Sequence, residues 1–229
     1  MTGSGPDASD IVDVRLLEAM RAGGCPVCVV RARSEKATLD AIINERVLDI
    51  GFRADLERKQ GFCARHVAEL VPTDRRETGG ILGSSMLLSA VIDRRIDVLR
   101  AAVATPGRRL RVRLGLARHR PPCIACSQGV TAVQTAVARF ADRSSDAAWV
   151  AALADTAFCL DDFLLLWDTA RSRRGFEPVV RRQLARFEDV RRRLDGYAHH
   201  SSHDRLQLMT DEERTAADEA TRVLGGGRL

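Results

Sequence analysis

The sequence predicts an all-α protein, and three observations carry that expectation. Hydrophobic residues make up 45% of the chain and aromatics only 4%. The apolar residues are mostly Leu, Val, Ala and Ile, a mixture that favours helices over sheets. Apolar positions recur at helical spacing through much of the chain. Convincing strands are missing: Leu110-Arg111-Val112-Arg113-Leu114 alternates, but it is short.

Taken in order, residues 1–10 are Gly-, Ser- and Asp-rich and lack the charged-then-apolar order of a secretory signal, so they read as a disordered lead-in. Ile11 to Arg21 reads as a helix ended by Gly23-Gly24. After Cys25-Pro26-Val27-Cys28, the apolar residues Leu39, Ile42, Ile43 and Val47 share one helical face, and Asp49-Ile50-Gly51 is the expected reversal. Ile81 to Ala104, ended by Pro106-Gly107, is apolar on most sides and is expected to be buried. A second helix follows Cys123-Ile124-Ala125-Cys126, with Val130, Val133, Val137 and Phe140 on its face. It breaks at Asp142-Arg143-Ser144-Ser145, where Ser144 or Ser145 caps the next helix. Pro178 to Leu194 places Val180, Leu184, Phe187 and Leu194 along a stripe, with Arg181, Arg182, Arg186, Arg192 and Arg193 outside it. Thr210 with Glu213 forms a capping box for a last helix that runs to about Leu224 and stops at Gly225-Gly226-Gly227.

All six cysteines lie in one repeated pattern. Cys25-Pro26-Val27-Cys28 is followed by Cys63-Ala64-Arg65-His66; Cys123-Ile124-Ala125-Cys126 is followed by Cys159-Leu160-Asp161-Asp162. A shift of 98 residues lays Cys25 on Cys123 and Cys28 on Cys126, and a shift of 96 lays Cys63 on Cys159, Phe62 on Phe158 and Leu70 on Leu166. The pattern predicts a duplication. Two pseudo-repeated helical hairpins, each clamped at its open end by its own knuckle, are joined by a C-terminal helix pair. The expected boundaries are a lead-in over 1–10, a first repeat over 11–105, a second over 106–175 and C-terminal helices over 176–229.

Three thiolates and an imidazole are a standard tetrahedral set for zinc. The first predicted site is therefore Cys25, Cys28, Cys63 and His66. A proline after the first cysteine suits the first turn of a helix, where the helix dipole and free N–H groups favour thiolates. Cys63 and His66, three apart, project from one helical face. The second predicted site is Cys123, Cys126, Cys159 and Asp162, and it is the less regular one. Asp162 or Asp161 is its fourth ligand, or a histidine from the cluster His199, His200 and His203 fills the place, or the site is a metal-free remnant. An iron–sulfur cluster normally takes cysteine at all four positions. A dithiol oxidoreductase wants a βαβ context that this chain does not offer.

The residues Cys25-Pro26-Val27-Cys28, Gly61-Phe62-Cys63-Ala64-Arg65-His66 and the second Cys-x-x-Cys with Phe158-Cys159 resemble an uncharacterised prokaryotic helical family. That family carries duplicated CPxC and GFCxxH motifs and a C-terminal helix pair near a late Gly-Gly. The likeness covers roughly Asp10 to Gly227 and implies a metal-binding fold without an established activity. Asp162 departs from the family's histidine, which singles out the second site.

The function classes then rank themselves. There is no Ser/His/Asp grouping, phosphate loop or paired-histidine helix motif. The leading reading is a zinc-stabilised, non-catalytic module whose partner is an unknown protein or a second copy of itself. Nucleic-acid binding is the alternative suggested by Arg108, Arg109, Arg111, Arg113, Arg118 and Arg120, a stretch without acidic residues in a chain of net charge +5. Few aromatics lie near it for base stacking. A metal- or thiol-dependent enzyme built on Cys123, Cys126 and Cys159 ranks last, because thiolate-rich zinc is a poor Lewis acid. The longest apolar run, Met86 to Ile92, is stopped by Asp93-Arg94-Arg95, too short to span a bilayer. Cytoplasmic residence is expected, where reduced cysteine pairs serve as ligands rather than disulfides.

Overall fold

A computed structural model of the chain describes residues 6–58, 61–103, 123–170, 173–202 and 205–225. Among the described residues every regular element is helical. The helices are α1 (Ile11–Arg21), α2 (Pro26–Ala41), α3 (Ile50–Arg58), α4 (Ala64–Thr78), α5 (Leu82–Val103), α6 (Ile124–Asp142), α7 (Ala147–Asp155), α8 (Leu160–Thr169), α9 (Arg173–His200) and α10 (Asp211–Gly225). A π turn, Ile42–Arg46, extends α2, and 3-10 turns follow α6 and precede α10. None of the described helices is long and apolar enough to cross a membrane. The alternating segment at 110–114 and the basic stretch at 108–120 lie outside the described residues.

The chain divides into two units that are not consecutive halves: residues 1–32 with 131–229, and residues 33–130. The boundaries expected at 105 and 175 do not coincide with this division.

In the unit of residues 33–130, Leu39, Ile42, Ile43, Phe52, Leu56, Phe62, Leu70 and Leu87 form the core. The stripe read from α2 and its π turn is thus the buried one. Asp49 caps α3 by accepting from Phe52 N–H at 3.0 Å. Asp74 of α4 is fully buried and caps α5 from outside it, accepting from Ser84 N–H at 2.7 Å and Ser84 Oγ at 2.9 Å. Burial opposes ionisation of Asp74, but these bonds and that of Thr78 outweigh it and hold its carboxyl below the usual range. The expectation that α5 is buried on most sides fails. Leu82, Ile92, Leu99 and Val103 are exposed, and burial is deepest near its start, at Ser84 and Leu87.

In the other unit, Phe140, Trp149, Phe158 and Phe176 form an aromatic centre, with Phe140 and Phe158 edge to face at 6.2 Å. Residues read as a loose lead-in are tied to it: Asp7 C=O accepts from Trp149 Nε1 at 3.3 Å, and Asp10 caps α1. The first five residues lie outside the described set. The cap of α7 is Asp146, which accepts from Ala148 N–H at 2.9 Å and Trp149 N–H at 3.3 Å, not either serine. The 3-10 turn at Arg143–Ser145 carries the chain one step further before α7 begins, and it turns Ser144 inward onto Ala141 C=O.

Helix α9 starts five residues before Pro178 and is rotated from the expected stripe. Phe176, Val179, Gln183 and Val190 are buried, whereas Leu184 is 55% exposed. Two contacts explain this. Burying Phe176 contributes about 1.5–3 kcal/mol, comparable with the ~3 kcal/mol that a proline inside a helix costs. Gln183 occupies a core position because its amide pairs with the Phe158 backbone, giving Nε2–H to the carbonyl at 2.6 Å and accepting from the N–H at 3.3 Å. The capping box of α10 forms as read: Glu213 N–H donates to Thr210 Oγ1 at 3.2 Å, and Thr210 N–H to Glu213 Oε2 at 2.9 Å. Thr210→Ala is expected to destabilise the protein by about 1 kcal/mol, seen as an earlier urea midpoint with unchanged slope.

Candidate metal centres

Each of the four sequence motifs begins a helix. Cys25, Cys63, Cys123 and Cys159 occupy the position before the first residue of α2, α4, α6 and α8, and each carbonyl accepts the first intrahelical hydrogen bond, from Val29, Val67, Ser127 and Phe163. Cys28, His66, Cys126 and Asp162 are the third residues of those helices. These are the two positions that a capping box uses, so both side chains of a motif turn back over the free N–H groups of one first turn. Four helix N-termini thus present eight ligand-type side chains.

The structure gathers them into two sets of four, and the sets are exchanged relative to the sequence expectation. Cys63 and His66 meet Cys123 and Cys126; Cys25 and Cys28 meet Cys159 and Asp162. Neither consecutive quartet forms. Cys25, Cys28, Cys63 and His66 do not converge, nor do Cys123, Cys126, Cys159 and Asp162. The helices after the first motif differ in length. The 16 residues of α2 and the 5 of the π turn carry the chain about 30 Å from Cys25. Helix α3, with 9 residues, by itself retraces only about 14 Å, less than half that distance. The partners of Cys63 come from the start of α6 instead.

The first set lies wholly in the unit of residues 33–130. His66 Nδ1 stands 3.2 Å from Cys63 Sγ, 3.2 Å from Cys123 Sγ and 3.4 Å from Cys126 Sγ; Cys63 and Cys126 are 3.7 Å apart, Cys123 and Cys126 3.2 Å. A tetrahedral zinc ion with bonds of about 2.3 Å to sulfur and 2.0 Å to nitrogen imposes edges of about 3.8 and 3.5 Å. The quartet has that size to within about 0.6 Å, and its S···S separations are far from the ~2.05 Å of a disulfide. His66 is fully buried. Burial and the neighbouring Cys123 and Cys63 thiols push the Cys126 thiol up to about 12. Burial also opposes ionisation of Cys63, but His66 N–H, the thiols of Cys126 and Cys123, and Arg65 N–H outweigh it and bring this thiol below its ordinary value.

The second set lies wholly in the other unit. Cys25, Cys28 and Cys159 all direct their thiols at Asp162 Oδ2, at 3.3, 3.0 and 3.1 Å, with Cys28 and Cys159 3.7 Å apart. The carboxylate therefore stands where His66 stands in the first set. Hydrogen bonds to Cys159 and Cys28, with burial, drive the Cys25 thiol strongly upward. The Cys159 thiol is lowered by Cys25 but raised more by Cys28 and burial, and rests at about 12. Burial, then Cys28, also raises Asp162. Groups so packed cannot all ionise by themselves; a divalent cation would supply the missing charge and take them as thiolates and carboxylate. Both donor sets fit zinc, soft sulfur with one nitrogen or oxygen.

Asp161 is not in the cluster. His199 and His200 are engaged elsewhere, edge to face with each other at 5.2 Å, with His200 paired to Glu213 at 3.1 Å. His203 lies outside the described residues. The enzymatic triad Cys123, Cys126 and Cys159 is not one site, because Cys159 belongs to the second set.

Sequence reasoning passed over Glu35, which faces His66, and Arg65 and Gly129, which border Glu35. Glu35 is nearly buried, accepts from Arg65 Nη2 at 2.6 Å, and its Oε2 is 3.6 Å from His66 Nε2. A Cβ on Gly129 would sit 2.5 Å from Glu35 Oε1. The one available signal was Gly129 itself, a glycine inside a helical run, which marks a close approach.

No curated protein and no solved structure matches the chain. A family model matches residues 8–175, a span that holds all six cysteines with His66 and Asp162, and the chain thus belongs to the family of unknown function DUF6062.

Proposed function

We propose that each cluster holds one zinc ion and that the protein is a zinc-stabilised, non-catalytic helical module that binds a protein partner or a second copy of itself. One observation carries the reading: eight ligand-type side chains at equivalent positions of four helices converge as two quartets of tetrahedral size. An ion in either quartet would have its four places filled by protein, as in structural rather than catalytic zinc sites. Zinc would cross-link the N-termini of α4 and α6 in one unit and of α2 and α8 in the other. The free energy of binding is then also folding free energy.

The same geometry supports an ancestral duplication. Helices α3 and α7 have 9 residues each, start 97 positions apart, and are capped by Asp49 and Asp146. Phe62 and Phe158, each before an N-cap cysteine, are both buried, as are Leu70 and Leu166. Elemental analysis of the purified chain tests the metal reading. About two zinc ions per chain are expected from one for each tetrahedral quartet; a metal-free protein that is stably folded and insensitive to chelators overturns it.

A further inference from the structure

We propose that Glu35 is the outer carboxylate of the first metal centre: it accepts the Nε2 proton of His66, fixes the tautomer that turns Nδ1 toward the three sulfurs, and thereby slows metal release. The proposal rests on the reading that Cys63, His66, Cys123 and Cys126 hold zinc. His66 is fully buried, its Nδ1 is committed to the cluster, and its Nε2 has no hydrogen-bond partner in the structure. A ring that ligates through Nδ1 must carry its proton on Nε2, and a buried N–H without an acceptor costs about 1–3 kcal/mol. The Glu35 carboxylate is 3.6 Å from that nitrogen, too long for a formed bond by about half an ångström and short enough to close with a small side-chain movement.

Three features show that Glu35 is placed rather than left over. Its side chain is only 6% exposed, an unusual burial for a carboxylate without a task. Arg65, between Cys63 and His66 on α4, clamps Oε2 at 2.6 Å from the solvent side. Gly129 of α6 leaves the room that the carboxylate occupies: a Cβ there would meet Glu35 Oε1 at 2.5 Å, Cγ at 2.8 Å and Cδ at 2.9 Å. The second centre, whose fourth ligand is Asp162, has no imidazole to orient and serves as an internal control.

Zinc release from the full-length protein to a chromogenic chelator should show two phases, of which His66→Ala removes one. Glu35→Gln is expected to speed that phase by about 10–100-fold, the usual effect of losing an outer-sphere partner, and to leave the other phase unchanged. Gly129→Ala, which displaces the carboxylate, should act in the same direction, and the double variant should release no faster than Glu35→Gln alone. Arg65→Met changes a half-exposed side chain that holds both Glu35 and the Cys126 thiol; it should speed the same phase, and it counts for Glu35 only if Glu35→Gln speeds that phase too. Long-range 15N–1H spectra of zinc-loaded protein should place the His66 proton on Nε2 and show its resonance moved by Glu35→Gln. Unchanged release in Glu35→Gln and Arg65→Met, with an unmoved Nε2 proton, overturns the role of Glu35. A wild type with no His66-dependent phase overturns the metal reading itself, and the proposal with it.

Discussion

Cys25→Ser and Cys159→Ser should lose the same equivalent of zinc, and Cys63→Ser and Cys123→Ser the other. Although Cys25 and Cys159 are separated by 134 residues, their thiols share one carboxylate oxygen in the structure. Once either ligand is gone the remaining three hold metal poorly, so Cys25→Ser/Cys159→Ser should bind no less zinc than either single variant. Cys25→Ser/Cys63→Ser, by contrast, removes one ligand from each quartet and should leave no tightly held zinc. Structural zinc is worth about 10–16 kcal/mol at neutral pH in zinc-finger peptides, as much as the whole 5–15 kcal/mol by which most domains are stable. Loss of one ion is therefore expected to unfold the unit that holds it, and loss of both to abolish most of the helical circular dichroism. Elemental analysis with far-ultraviolet spectra checks this. If Cys25→Ser and Cys63→Ser instead lose the same ion, the consecutive pairing is right and the exchanged one is wrong.

The exchange also marks how far the residues alone can be read. Local signals were legible: Cys-x-x-Cys and Cys-x-x-His place both ligands on one first turn, Thr210 with Glu213 is a capping box, and Leu39, Ile42 and Ile43 reach the core as their spacing requires. Such features depend on neighbours three or four residues away, and helical geometry fixes those. Which motif meets which is settled by tertiary packing across a hundred residues, and proximity in sequence favoured the consecutive pairing that the structure does not form. The rotation of α9 was hidden for a similar reason, since Gln183 is buried by a hydrogen-bonding need of the Phe158 backbone, which lies in the link between α7 and α8. Glu35 was invisible as a site residue because an isolated glutamate on a helix is ordinarily a solvated one. The resemblance read from CPxC and GFCxxH led to the right family but extended it to the last helices, whereas the match ends at residue 175.

Replacing Asp13 should produce the largest loss of stability outside the metal ligands. Asp13 is fully buried on α1 and accepts from Ser9 N–H at 2.9 Å, Ser9 Oγ at 2.7 Å and Arg139 Nη1 at 3.1 Å, and it pairs with Arg143. Burial alone would raise its pKa; the Ser9 bonds and Arg143 outweigh it and bring the carboxyl down to about 2. A native pKa below the unfolded value means that protons bind the unfolded chain more tightly. The stability that Asp13 contributes is thus fully present above about pH 5, falls as the pH drops through the unfolded value near 4, and is gone below the native value near 2. A shift of nearly two units corresponds to about 2.5 kcal/mol. Asp13→Ala goes further, because it also removes the acceptor of both Ser9 bonds and a partner of Arg139 and Arg143, although Arg139 keeps Asp10 at 2.8 Å, and should cost about 3 kcal/mol at neutral pH. Urea titrations of wild type and Asp13→Asn from pH 7 to pH 3 separate this from any acid release of metal, which would affect both proteins alike. The gap between them should narrow as the pH falls; a gap that is constant with pH would mean that Asp13 stabilises by shape and not by charge.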